Sequence, residues 1–136
     1  NGQVRKNDLA VPVADQAAFL KDVLDAVASV NEIDTLVFGH IGDGNLHINY
    51  IETQKMEKEP FVELSSALEA KVFEALARYR GSVSAEHGIG LSKKASLPIS
   101  RSEAEIEWMR RLKKTLDPAG ILNPGKIFDG DAAKEA

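Results

Sequence analysis

"FGHIGDGNLHINY" (residues 38–50) holds two of the chain's three histidines on either side of an Asp-Gly pair. Asp43-Gly44 is a strong two-residue hairpin signal, because the tight turn needs residues that tolerate positive φ. The flanks "IDTLVFGHI" (33–41) and "NLHINYIE" (45–52) read as two antiparallel strands. With Asp43 and Gly44 at the centre of the turn, Gly42 pairs with Asn45, Ile41 with Leu46 and His40 with His47. Side chains alternate across a sheet. Phe38, His40, His47 and Asn49 then share one face. Val37, Ile41, Leu46, Ile48 and Tyr50 share the other.

Outward from the hairpin, the chain alternates strand and helix signals. "DLAVPV" (8–13) is a short extended run, with Pro12 marking an edge or irregular position. "DQAAFLKDVLDAVASV" (15–30) is an amphipathic helix with Asp15 as its cap and Phe19, Val23, Ala26, Val27 and Val30 as its apolar stripe. "EPFVELSSALEAKVFEALARYR" (59–80) is a long helix with Gly81 in the stop position. "SVSAEHG" (82–88) starts as a short strand and leaves into a glycine loop. "SRSEAEIEWMRRLKKTLD" (100–117) is a third helix starting near Ser100 or Ser102, with Trp108 expected to pack. "DPAGILNPGKIF" (117–128) is a loop with two proline–glycine punctuations, and residues 129–136 form a disordered tail.

The order is βαββαβ, then a helix and a loop. It predicts an α+β, ferredoxin-like domain over residues 1–128, with an antiparallel sheet and helices on one face. The opposite face, with the histidine pair, is left open to a site or a partner.

Composition narrows the chemistry. A chain of 136 residues that is 43% hydrophobic can bury a core. The net charge of −4 argues against nucleic-acid binding, and the basic run "MRRLKK" reads as the solvated face of a helix. Without cysteine, disulfides and thiolate chemistry are excluded, so a metal must be held by His, Asp, Glu or backbone oxygens. No apolar run approaches the roughly 18 residues of a membrane span, and no signal-peptide pattern is present. The expected location is the cytoplasm, with attachment at a membrane surface left open. The start "NGQVRKND", without Met, reads as a piece of a longer polypeptide; a tag or processing gives the same start.

Directly opposed residues on paired strands have Cβ atoms about 4.5–5.5 Å apart. Two imidazoles at that spacing can bind one metal ion, or can be structural histidines hydrogen-bonded to backbone or water. "SAEHGIG" (84–90) sets Glu86 beside His87 among glycines. Glu86 is a candidate oxygen ligand and His87 a candidate base, since its ordinary pKa is near neutral. The same stretch also reads as a plain capping loop. Glu86 reaches the histidines only if the fourth strand is very short or bends early.

"GHIGDGNLHIN", "SAEHGIG" and "LDPAGILNPGKIF", in this order, resemble the C-terminal domain of FAD-linked 2-hydroxyacid dehydrogenases. That family includes D-lactate dehydrogenases, the glycolate oxidase flavin subunit and D-2-hydroxyglutarate dehydrogenase, all flavoproteins of the vanillyl-alcohol-oxidase type. The resemblance covers essentially the whole chain. It implies that His40, His47 and Glu86 bind a divalent metal, and that His87 is the base or orients the substrate. It implies that Asn49 and Lys6 contact the substrate, with Asp8 and Pro12 following Lys6 in register. It places Asn123 of the "NPGK" segment near the flavin. Two nitrogens and one oxygen suit zinc, and manganese, iron or cobalt remain open.

The implied partners are a small 2-hydroxy acid, FAD held mainly by a flavin-binding domain of the same polypeptide, and that domain itself. Alone, the chain is expected to oxidise nothing. Two other readings stand beside this one. The first is a stand-alone ferredoxin-like binding or regulatory module that forms a homodimer through its open sheet face. The second is a metal-dependent hydrolase, for which no separate acid is evident.

Overall fold

The computed structural model describes residues 2–28 and 30–129. Three strands form an antiparallel sheet in the order β1-β3-β2: β1 is Val4–Ala10, β2 is Ile33–His40 and β3 is Asn45–Glu52. α1 (Gln16–Val27) crosses from β1 to β2, and α2 (Lys58–Arg78) follows β3. A single turn of 3-10 helix leads into the short α3 (Leu97–Ser100), and α4 (Glu103–Leu116) comes last. The α+β class is as expected.

The helices pack on one face of the sheet. Leu9, Ile33, Ile48 and Tyr50 project from the strands onto Phe19, Val23 and Val27 of α1 and Phe61, Leu68, Val72, Ala75 and Leu76 of α2. Val83 closes the same cluster. Along β1 the alternation puts Arg5, Asn7 and Leu9 on this covered side, leaving Lys6 and Asp8 on the other. Arg5 ties the sheet to α2: its guanidinium reaches both carboxylate oxygens of Glu69 and donates to Ser66 Oγ at 2.9 Å.

Several sequence expectations need correction. The β2–β3 connection is a four-residue loop, not a two-residue turn, so His40 stands opposite Asn45 and Phe38 opposite His47. Asp43 Oδ1 accepts the Asn45 N–H at 3.0 Å, and Val11 N–H donates to Gly44 O at 3.1 Å, so the loop is built against the end of β1. Gly44 alone in this loop has positive φ (82°), where a type I′ turn needs two such residues. A shift of two residues keeps every side chain on its expected face. Ile41 is the exception: it lies in the loop, 85% exposed, rather than in the core.

The fourth strand does not form. Ser82 and Ala10 exchange both backbone hydrogen bonds (3.0 and 2.7 Å) as a single bridge, one more backbone bond runs from Ala85 N–H to Asp8 O at 3.2 Å, and no ladder develops from them. β1 also begins earlier than expected, so Lys6 lies within it rather than before it.

The helix ends differ as well. A 3-10 turn over Val13–Asp15 precedes α1, and the Asp15 side chain caps nothing. α1 ends at Val27. At the end of α2 it is Arg80, not Gly81, that takes positive φ (52°). Arg80 N–H bonds Ala77 O and Gly81 N–H bonds Leu76 O, which is a Schellman closure with Arg at the position that favours glycine. Gly81 is needed for closeness: a Cβ there would run into the Leu76 side chain and the Ala10 carbonyl.

α4 starts with a capping box, in which Ser102 and Glu105 each bond the other's backbone N–H. It buries no residue, and Trp108 is 64% exposed with only the Arg111 guanidinium over its ring. The expected packing role of Trp108 is not met within the described residues. No described helix is long and apolar enough to cross a membrane. All but the first residue of the expected tail at 129–136 lies outside the described residues.

Candidate metal centre

The site is built around Asp8, on the open face of β1 and only 2% exposed. Its Oδ2 accepts the backbone N–H groups of Ala85 (3.1 Å), Glu86 (2.9 Å) and His87 (3.0 Å), and lies 3.4 Å from Ser84 Oγ. Its Oδ1 accepts from Asn45 Nδ2 at 3.1 Å. A carboxylate held by several N–H donors replaces the ladder that a fourth strand would have made. The chain folds back over β1 at this point and delivers Glu86 and His87 above the sheet. Burial alone would raise the Asp8 pKa; the Glu86 and His87 amides, the nearby His87 ring and Asn45 outweigh it and hold the carboxyl below its ordinary value.

His40, at the end of β2, and His47, on β3, face this loop. Their rings are edge-to-face with centroids 5.8 Å apart. His40 Nε2 lies 3.7 Å from Glu86 Oε1. One ligand atom each from His40, His47 and Glu86 falls within 4.8 Å of the others. Donors bound to one tetrahedral ion at 2.0–2.2 Å sit about 3.4 Å apart, so small side-chain rotations bring the three into a coordination set. The donors are two imidazoles and a carboxylate, which leaves a fourth position for water or substrate, as catalytic zinc sites require. The set fits a divalent metal.

A cleft of about 450 Å³ opens beside the cluster, lined by Lys6, Phe38, His47, Asn49, His87 and Lys93 among others. Lys6 and Asn49 are cross-strand partners. His87 Nδ1 lies 3.7 Å from Asp8, which turns its other ring nitrogen away from the carboxylate. Lys93 donates to Val83 O at 2.8 Å; burial pushes its pKa down, and the charges of Asp8 and Glu69 offset part of that. Six of the seven residues singled out in the sequence therefore meet here.

Asn123 does not. It sits exposed, with φ 48°, in the loop after α4, beside a separate pocket lined by Arg110, Lys114 and Lys126. That loop is tied back by a hydrogen bond from Ile127 N–H to Gly90 O at 2.8 Å. Sequence reasoning missed the central part of Asp8, and it missed Asn45 and Lys93 altogether. The available signal was the polar phase of β1: Asp8 falls on the same strand face as Lys6, next to a histidine strand.

The model for the C-terminal domain of FAD linked oxidases matches residues 1–127. The chain belongs to this family. Among relatives of this FAD-linked oxidase domain, a D-2-hydroxyglutarate dehydrogenase of Stutzerimonas stutzeri is 46% identical, over 90% of this chain and 27% of its own length. A mitochondrial D-2-hydroxyglutarate dehydrogenase of Bos taurus is 43% identical over 94% of the chain and 22% of its own. A D-2-hydroxyglutarate–pyruvate transhydrogenase of Saccharomyces cerevisiae is 38% identical over 84% and 25%. The chain spans about a quarter of the length of the curated relatives it matches.

Proposed function

We propose that this chain is the substrate- and metal-binding domain, residues 1–128, of a flavin-dependent dehydrogenase that oxidises D-2-hydroxyglutarate to the 2-oxo acid by hydride transfer to FAD. In this reading the domain has a ferredoxin-like sheet whose fourth strand is reduced to one bridge. The observation that carries the reading is the meeting of His40, His47 and Glu86 at the mouth of a cleft that also holds Lys6, Asn49 and His87. The names of the relatives support the substrate.

His40, His47 and Glu86 hold the metal, with zinc suited by the donor set. When bound, the metal supplies Lewis acidity toward the substrate oxygens, and FAD supplies the hydride acceptor. Lys6 provides positive charge for a substrate carboxylate, and Asn49 a hydrogen bond. His87 takes the hydroxyl proton at the ring nitrogen turned away from Asp8. Phe38 and the chain over 88–90 exclude water from one side of the cleft. Asn123, remote from the cleft, meets the flavin from the other domain. In this reading the hydride acceptor is held by a flavin-binding domain outside residues 1–128, and residues 1–128 by themselves do not turn over.

The test is calorimetric titration of the 136-residue chain with zinc, then of the zinc-loaded chain with D-2-hydroxyglutarate. One zinc per chain, lost in His40→Ala, followed by NMR shifts at Lys6, Asn49 and His87 on adding the acid, is the expected result. No zinc binding up to millimolar concentration overturns the metal centre, and zinc binding without acid binding overturns the substrate.

A second reading has one observation in its favour. Leu36 and Phe38 are each 51% exposed on the open face, a small apolar patch of the kind that homodimers cover. A stand-alone module that dimerises there predicts a dimer in sedimentation that Leu36→Lys dissociates. A monomer counts against it.

A further inference from the structure

The geometry points to Asp8 as the positioning residue of this centre. It fixes both the Glu86–His87 segment and the ring orientation of His47 and His87, without itself being a ligand. The inference rests on the metal-centre reading for its effect on affinity, but not for its effect on the two rings.

Three observations carry it. First, the acceptor capacity of Asp8 is committed: Oδ2 takes three backbone N–H groups and Oδ1 takes the Asn45 amide. Most of the carboxylate's acceptor capacity is thus spent on the protein's own donors, and Oδ2, the more heavily bonded oxygen, is occupied from three sides. Second, the three N–H groups belong to consecutive residues. One buried oxygen thus sets the path of the backbone that presents the Glu86 carboxylate to His40. Third, two imidazole Nδ1 atoms also face the carboxylate, His47 at 3.9 Å from Oδ1 and His87 at 3.7 Å from Oδ2. A carboxylate facing Nδ1 favours the hydrogen on that nitrogen and leaves Nε2 with a free lone pair. Both rings are thereby turned so that the nitrogen able to bind metal or take a proton points away from Asp8. Asn45, 2% exposed, holds the carboxylate from the far side.

The experiment reads ring tautomers and metal affinity together. In the 136-residue chain without metal, imidazole ¹⁵N shifts, read on the alkaline plateau where they no longer change with pH, should report Nδ1–H on His47 and His87. Asp8→Asn keeps the size and one acceptor oxygen but removes the charge and the second acceptor. It should return both rings toward the Nε2–H form that free imidazoles prefer. It should also weaken zinc binding about 10–100-fold. Val23→Ala, which opens a gap in the core beneath α1 on the covered side of the sheet, should leave zinc affinity unchanged and serves as the control for a general loss of stability. If Asp8→Asn changes melting but neither tautomers nor zinc affinity, Asp8 is merely structural and the inference falls. If Asp8→Asn does not fold, the unmodified chain decides: Nε2–H on either ring overturns the inference. If the unmodified chain binds no zinc, the metal centre fails on its own account, and the ¹⁵N shifts still decide the placement of Asp8.

Discussion

His40 stands across the β2–β3 ladder from Asn45, not from His47. The two imidazoles therefore meet on a diagonal. The diagonal pair leaves room between them for a third ligand from outside the sheet, and Glu86 comes in there.

The loop that sets this register makes unequal use of its glycines. A Cβ on Gly44 would strike the Val11 carbonyl oxygen, and its φ of 82° is strained for any other residue. Gly42 has open space around it and no positive φ. Gly44→Ala should cost more than about 2 kcal/mol of stability, whereas Gly42→Ala should be neutral or stabilise by about 0.4–1 kcal/mol. Urea denaturation of the two variants checks the difference, and the order should not reverse.

The end of α2 offers a gain. Arg80 occupies a left-handed position at which glycine is favoured. Arg80→Gly should stabilise the chain by about 0.5–1 kcal/mol. Gly81→Ala, one residue on, should destabilise it, because the methyl group has no space against Leu76 and Ala10. Thermal melts of the pair should move in opposite directions.

The Arg5–Glu69 clamp joins β1 to α2 on the side away from the cleft. Both side chains are partly shielded, and Glu69→Gln should cost about 1–2 kcal/mol in a denaturant titration. A double-mutant cycle with Arg5→Gln should return a coupling of similar size.

Asp117 is buried at the end of α4 and gathers the loop that follows. The Lys113 ammonium beside it lowers its pKa, burial opposes that, and the N–H groups of Leu122 and Ile121 lower it further. A carboxyl with a depressed folded pKa contributes stability that is complete above its unfolded pKa and is lost as pH falls through the folded one. The Ile121 and Leu122 amides should therefore keep their hydrogen-exchange protection, corrected for intrinsic rate, above about pH 4 and lose it progressively below. In Asp117→Asn that protection should be weaker at neutral pH and insensitive to acid.

The strand–helix order and the face of every hairpin strand residue were legible because period-two and helical periodicities survive errors of register. β3 could be bounded to the residue, since Asn45 follows the glycine and Glu52 ends the alternation. The register itself was not legible: Asp-Gly suits a two-residue turn, and nothing local announces that Gly44 O would bond Val11. The missing fourth strand has the same kind of cause. "SVSAEHG" has strand character, and only the distant Asp8 carboxylate removes its N–H groups from the ladder. The candidate ligands were legible as residue types at motif spacing, whereas their convergence depends on that long-range capture. Asn123 was placed by resemblance alone, and this chain does not bring it to the cleft.

Helix α4 buries nothing, and every buried apolar side chain among the described residues lies at or before Leu97. This ordering has a consequence for biosynthesis. As the polypeptide leaves the ribosome from its N-terminal side, all the parts of the core emerge before α4 does. Collapse of the sheet onto α1 and α2, and the seating of Glu86 over the histidines, need not wait for the final helix.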